Sequence, residues 1–305
     1  MAHLQAVRTS LQPQQNAFTQ LTTYFDAHNQ ISWGYMHAEP RPCFTPTLLQ
    51  ELLAWCHGIA GQIDDPDKPD VRYMVTASSH PGVFNYGGDL NRFAELIVSG
   101  ERDRLAQYAQ ACIEPLYLYA VHLNRPGLKS ISLVQGDALG GGFECALSGN
   151  VLIAERGCKL GFPEILFNLF PGMGALSLLG RRVGYQKAEQ IILSGRLYLA
   201  EELHEMGVVD VLAEPGEGEW AVHDYIRRET RSRNGALALR SARDEIQPVS
   251  YGELMRIAEI WVDAALRLEA KDIRMMERLV SRQTGKAEAV PAGLPAAGAS
   301  QKFSA

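Results

Sequence analysis

The chain has 305 residues, 46% of them hydrophobic and 21% charged. That length and apolar content can bury a sizeable core, in one large domain or one domain with a helical appendage. A net charge of -6 and a pI near 5.8 give no global attraction to nucleic acid or to an anionic membrane surface.

Residues 1 to about 20 are rich in Gln, Thr and Ser and read as a loosely held arm with no apolar signal core. Tyr24 to Met36 carries the aromatic and β-branched residues of a first strand or two. Pro40, Pro42 and Pro46 bracket a loop, and Thr45 or Thr47 is placed to cap the next helix. There Leu48, Leu49, Leu52, Cys56 and Ile59 fall at helical spacing up to Gly61, and His57 reads as a surface residue. DDPDKPD is an exposed turn, and VRYMVTAS a buried strand. SHPGVFNYGGDLNRF follows as a glycine turn in which Asp89 can cap a helix. A long helical stretch comes next, interrupted near Ser99 and Gly100. Leu105, Tyr108, Cys112, Leu116, Ala120 and Leu123 keep its apolar period, Pro115 bends it, and Arg125-Pro126-Gly127 ends it.

The most informative stretch runs from Ile131 to Gly174: ISLVQGDALGGGFECALSGNVLIAERGCKLGFPEILFNLFPGMG. Ile131–Val134 is a short apolar run suited to a buried strand. Gly140, Gly141 and Gly142 mark a tight turn or a close approach, and FECALSG opens a helix with Glu144 in its first turn. A second apolar run, Val151–Ala154, leads to a second carboxylate, Glu164, twenty residues after the first. A turn-to-helix junction leaves backbone N–H groups unpaired at the positive end of the helix dipole. Such a junction suits a developing negative charge, with two acid/base candidates nearby. Strand–helix–strand order with glycine-rich junctions further argues for right-handed βαβ units.

Beyond Gly174, ALSLLGRRVG and YQKAEQIILSG read as two short helices, the second closed by Gly195. AEELHEMG is a helix and VVDVLAEPG a last core strand, while His204 and Glu205 lack the spacing of a helical zinc site. From Trp220 the chain turns mainly helical. LMRIAEIWVDAALRLEAKDIRMMERLV reads as one long amphipathic helix whose Met255, Trp261, Ala265 and Leu268 face the active site, the core or a neighbouring subunit. Residues 286 to 305, rich in Ala, Gly, Pro and Ser, read as disordered. Cys43, Cys56, Cys112, Cys145 and Cys158 show no metal-type spacing and point to free thiols in a reducing cytoplasm. There is no apolar run long enough to span a bilayer. G-x-S-x-G, a P-loop and a dinucleotide-binding G-x-G-x-x-G are also absent, so catalysis must run on carboxylates and backbone donors.

GDALGGGFECAL followed by GFPEILFNLFPGMG resembles the crotonase (enoyl-CoA hydratase/isomerase) superfamily. Within it, GDALGGGFE, IAERG and PEILFNLFPGMGA look most like the bacterial synthases of diffusible signal factor, the cis-2-unsaturated fatty acids of quorum sensing. The resemblance covers roughly residues 30 to 285. It implies an α/β fold, a ββα-spiral core over residues 21–215, and a C-terminal helical region over 216–285 that covers the acyl pocket and makes oligomer contacts. Flanking these would be the arm 1–20 and the tail 286–305.

By the same resemblance, Gly87, Gly88, Asp89 and Leu90 form the first half of an oxyanion hole. The donors would be the N–H groups of Gly88 and Gly141, and Glu144 and Glu164 would be the catalytic acid and base, in an order left open. Asn85 and Tyr86, in place of the small residues common in hydratases, would reshape the site wall. The apolar segment LFNLFPGM directly after Glu164 points to an acyl tunnel lined by Leu169, Phe170 and Met173 and closed by Trp261. The substrate would be a 3-hydroxyacyl thioester on acyl carrier protein or coenzyme A, with no prosthetic group and no metal. The resemblance further implies a homotrimer or dimer of trimers, regulation by a sensor protein, and hydrolysis of the thioester after dehydration. Alternatives are an ordinary hydratase/isomerase without hydrolysis, a catalytically silent crotonase-fold scaffold, and a protein whose main role is regulation by contact.

Overall fold

The computed structural model describes residues 12–13 and 18–289 of the chain. The strands β1 (Gln12–Pro13), β2 (Leu21–Asp26) and β3 (Ile31–Met36) come first, then α1 (Pro46–Ile63). Next are β4 (Tyr73–Ser78), β5 (Val83–Asn85), α2 (Leu90–Val98) and α3 (Arg102–Ala120). The central turn comprises β6 (Lys129–Val134), β7 (Asp137–Leu139) and α4 (Gly141–Ser148). After β8 (Val151–Glu155) and β9 (Lys159–Gly161) come a 3-10 turn (Pro163–Phe167), α5 (Ala175–Val183) and α6 (Tyr185–Ser194). The remainder is β10 (Leu197–Leu199), α7 (Ala200–Glu205), β11 (Val211–Ala213), α8 (Gly218–Thr230), α9 (Arg233–Ile246), α10 (Tyr251–Ala265) and α11 (Ala270–Ala289).

Three successive ββα turns build the spiral. The first strand of each turn, β4, β6 and β8, joins a seven-stranded sheet of order β1-β2-β3-β4-β6-β8-β11. The second, β5, β7 and β9, joins a four-stranded sheet of order β10-β9-β7-β5. Pairing is parallel from β3 through β11 in the large sheet and from β5 to β9 in the small one. β6 and β8 are buried along their whole length, which explains continuous apolar runs rather than alternation. The α/β spiral with a helical C-terminal region is therefore the fold the sequence implied.

The main core lies where α1, α3 and α4 pack on the large sheet. Thr45 caps α1, its hydroxyl accepting from Leu48 N at 3.0 Å. Leu48, Leu52, Trp55, Cys56 and Ile59 all point inward, and Trp55 donates to Ser32 Oγ at 3.0 Å. On the opposite sheet face, Val222 and Ile226 of α8 cover Ile131, Leu133 and Ile153.

Four sequence expectations need adjustment. Helix α1 continues past Gly61 to Ile63, because Gln62 remains buried and its amide donates to Pro69 O at 2.8 Å. The single long C-terminal helix is two, α10 and α11. Leu266 ends α10, and the Asp272 carboxylate starts the next helix by accepting from Glu269 N at 2.9 Å. No glycine or proline marks this break, so the apolar period runs through it unseen. In the arm 1–20, Gln12 and Pro13 pair with Phe25 and Tyr24 of β2, while residues 1–11 and 14–17 lie outside the described residues. In the tail 286–305, residues 286–289 belong to α11 and 290–305 lie outside the described residues.

Candidate active site

The spiral stacks the turns after β5, β7 and β9 beside one another, which converges residues distant in sequence. Asn85 closes β5, and its side-chain oxygen accepts from Gly87 N at 2.7 Å, folding the turn back. Asp89 then caps α2, accepting from Asn91 N at 3.2 Å and bound by Arg41 at 2.6 Å. Tyr108 of α3 ties this turn down, its hydroxyl accepting from Asp89 N and donating to Phe44 O. The turn after β7 lies directly against it. A β-carbon on Gly87 would stand 2.7 Å from Gly141 N, and one on Gly141 would stand 3.4 Å from Gly88 N. Among the described residues neither the Gly88 nor the Gly141 N–H has a hydrogen-bond acceptor. Gly141 is the first residue of α4, where N–H groups are unpaired by construction.

Each glycine of the triplet has a different task. Gly140 has φ +54°, and its β-carbon would meet Glu164 Oε1 at 2.3 Å, so only glycine lets that carboxylate lie on the turn. Gly142 backs onto Asn85, where a β-carbon would meet the carbonyl oxygen at 2.0 Å. Between them Gly141 supplies the N–H.

Glu144 is 1% exposed, in the first turn of α4. Its Oε1 accepts from Met173 N at 2.7 Å and Ala175 N at 2.8 Å, at the start of α5. Burial pushes its carboxyl up to about 7, and these N–H groups hold it from rising further. Glu164 sits in the 3-10 turn, and its Oε2 is buried without a partner among the described residues. Burial first, and the Glu144 charge second, push its carboxyl well above the ordinary range. Both carboxyls therefore hold their protons more strongly than an exposed glutamate does, and they titrate as a pair.

Both carboxyls open on one cavity of about 50 Å³, whose wall includes Tyr86, Gly88, Gly141, Leu169, Met173 and Trp261. Trp261 of α10 stacks on Gly172 and tilts against Phe93, ring centroids 4.9 Å apart. Phe170 does not line this cavity; it is half-buried against the main core, because the chain turns its neighbours Leu169 and Met173 inward instead. Gly87 stands behind the wall, backing Gly141. The sequence reading missed Phe93, Cys112 and Leu279 of the wall and Tyr108 behind it. Asn85, read with Tyr86 as reshaping the wall, stands behind it and folds the turn back. Among the described residues no three His, Cys, Asp or Glu side chains are placed to hold a metal ion, and His204 Nδ1 is occupied by Val209 O at 2.9 Å.

Residues 41–223, more than half the chain, match the family model for enoyl-CoA hydratase/isomerase. The chain belongs to that family. The hydratase/isomerase match spans the three ββα turns and α8 up to His223, including both glycine turns and both glutamates. Among curated relatives, the enoyl-CoA isomerase/hydratase fer4 of Mycosarcoma maydis is 28% identical over 240 residues, covering 77% of this chain and 84% of that protein. The peroxisomal fatty acid β-oxidation multifunctional protein AIM1 of Arabidopsis thaliana is 30% identical over half of this chain. The chain spans only about a fifth of the length of that multifunctional relative. In structure, the chain superposes on human mitochondrial Δ3-Δ2-enoyl-CoA isomerase with a TM-score of 0.71 at 18% identity, covering 88% of this chain and 99% of the other. It superposes on Pseudomonas aeruginosa DspI with a TM-score of 0.62 at 25% identity, covering 89% and 98%. At 18% identity the human isomerase speaks for the fold alone. Among the described residues no helix is long and apolar enough to cross a membrane.

Proposed function

We propose that this hydratase/isomerase-family chain dehydrates a 3-hydroxyacyl thioester and then hydrolyses it, releasing a free 2-unsaturated fatty acid of the diffusible-signal class used in quorum sensing. The observation that carries the reading is one small apolar cavity holding two buried carboxyls of raised proton affinity beside two unpaired backbone N–H groups. The thioester oxygen sits between the N–H groups of Gly88 and Gly141. Removing the C2 proton puts negative charge on that oxygen, where preorganised donors stabilise it most. The ionised carboxylate takes the C2 proton; the protonated one gives its proton to the 3-hydroxyl, which leaves as water as the C3–O bond breaks.

Dehydration moves a proton from one glutamate to the other. Hydrolysis moves it back. The newly ionised carboxylate deprotonates a water that attacks C1, the same two N–H groups hold the tetrahedral oxyanion, and the other glutamate protonates the departing thiolate. After both steps the pair is in its starting state, which makes the sequence of reactions self-resetting. The hydrolytic step and the carrier-protein substrate draw on the resemblance of GDALGGGFE and PEILFNLFPGMGA to the signal synthases. With the same residues, an ordinary hydratase/isomerase working on a coenzyme A thioester stops after the first step, and the long match to the fer4 isomerase/hydratase favours that second reading.

Chromatography and mass spectrometry of the products from 3-hydroxydodecanoyl thioesters of carrier protein and of coenzyme A separate the two. A free unsaturated acid supports the synthase. An intact enoyl thioester, with no acid released over many turnovers, rejects it in favour of the hydratase.

A further inference from the structure

Behind the site lies a second cavity of about 30 Å³ that the catalytic reading does not use. It is enclosed between α1, α3 and the end of α4, with Leu52, Trp55 and Cys56 on one side and Leu116, Tyr119 and Cys145 on the other. The two cavities share only two lining residues, Cys112 and Met173. These side chains form the partition.

The chamber offers nothing to water. The Tyr119 hydroxyl accepts from Thr76 N at 3.0 Å and donates to backbone carbonyls, and Ser148 Oγ donates to Cys145 O at 2.6 Å. Trp55 Nε1 is committed to Ser32. Burial pushes the Cys56 and Cys145 thiols up to about 12, so they stay protonated and behave as small apolar groups. Apolar cavities of this kind stay dry and accept hydrocarbon.

The partition is built to yield without moving the catalytic groups. Met173 N is fixed by its bond to Glu144 Oε1 at 2.7 Å, so the backbone there is held. The thioether beyond it turns on three rotatable bonds, and methionine is the side chain that most readily refills irregular apolar space.

We infer that the chamber behind Cys112 and Met173 receives the methyl end of the acyl chain, and that its depth sets the longest chain accepted. On this reading the chain runs from the oxyanion turns inward between α1 and α3, past the partition, rather than outward along Trp261. The inference rests on the acyl-thioester reading of the site. Its new content is the position of the tail and the residues that measure it, Leu52 and Cys56 of α1, neither of which touches the reacting atoms.

The test uses three variants of the full chain, all on α1. Leu52→Phe and Cys56→Leu fill the chamber; Leu52→Ala deepens it. Turnover of 3-hydroxybutyryl-CoA and 3-hydroxydodecanoyl-CoA is compared, with thermal unfolding as the folding control. The filled variants should lose at least about tenfold in kcat/KM for the twelve-carbon substrate while changing less than about twofold for the four-carbon one. Leu52→Ala should move the preferred length upward. A structural defect would lower both substrates together and could not shift the optimum in opposite directions. Equal losses on both substrates, or unchanged twelve-carbon turnover in both filled variants, overturn the inference. If the wild-type protein turns over neither thioester, nor 3-hydroxydodecanoyl carrier protein, the reaction proposed above fails. Calorimetry with dodecanoic acid then decides the chamber: at least tenfold weaker binding by Leu52→Phe and Cys56→Leu upholds it, and equal binding overturns it.

Discussion

The raised carboxyl of Glu144 can be measured as a pH-dependent loss of stability. The folded protein holds a proton on Glu144 up to about pH 7, whereas an ordinary glutamate releases it near 4.5. A raised folded-state value means this contribution is present in full below about pH 4.5 and is lost as pH rises through about 7. The interval corresponds to about 3 kcal/mol, at roughly 1.4 kcal/mol for each tenfold in proton affinity. Replacing Glu144 by Gln removes the titration and keeps an oxygen to accept from Met173 N and Ala175 N. The comparison is cleanest in a Glu164→Gln background, because Glu164 is absent from the causes that raise Glu144 while the Glu144 charge does raise Glu164. Urea unfolding of Glu164→Gln and of the double variant at pH 5 and pH 8.5 should give a stability difference that moves by about 2 to 3 kcal/mol in favour of the double variant at the higher pH. Any fixed offset from changed packing cancels in that comparison. A difference that is the same at both pH values refutes the raised carboxyl of Glu144. In turnover, each single Gln variant should fall by about 10² to 10⁴, and the double variant should be little worse than the poorer single one.

Gly141→Pro deletes one of the two turn N–H groups, and turnover of the 3-hydroxyacyl thioester should fall by about 10² to 10³; a folded variant near the normal rate rejects that N–H as a donor. Trp261→Ala opens the outer cavity wall where the indole lies on Gly172 and Phe93. It should lower stability by about 3 to 5 kcal/mol in urea unfolding and leave the product-length distribution unchanged, because the acyl tail runs inward past Cys112 and Met173; a shifted distribution would place the tail along Trp261 instead. Far from the site, Lys129 and Glu229 form a buried ion pair joining β6 to α8, with Tyr225 Oη 3.1 Å from the ammonium. Lys129→Met removes the ammonium that contacts Glu229 and should cost about 3 to 5 kcal/mol, read by urea unfolding; a cost below about 1 kcal/mol would show that the Arg240 charge, which also acts on Glu229, compensates it alone.

Local chemistry in the sequence determined the elements and named the site's polar parts. Continuous apolar runs at Ile131–Val134 and Val151–Ala154 became fully buried parallel strands, because a strand covered on both faces needs no polar alternation. Thr45 and Asp89 were readable as caps because the cap is made by residues within three positions of each other. The GGG triplet, Glu144 and Glu164 stood out as residue types that their local pattern requires.

What sequence spacing does not carry is convergence. The 2.3 Å approach that makes Gly140 obligatory involves Glu164 from the next turn of the spiral, and the 2.0 Å approach at Gly142 involves Asn85 from the previous one. The break between α10 and α11 was invisible because Asp272, a residue with no intrinsic stop signal, makes it through a bond to Glu269. Phe170 and Met173 were equivalent as apolar letters, and only the packed chain turns one to the core and the other to the cavity. The raised carboxyls are a tertiary property in the same sense. A glutamate ionises near its ordinary value wherever water reaches it, and only the closing of α1, α3, α5 and α10 around the turns removes that water and raises both carboxyls.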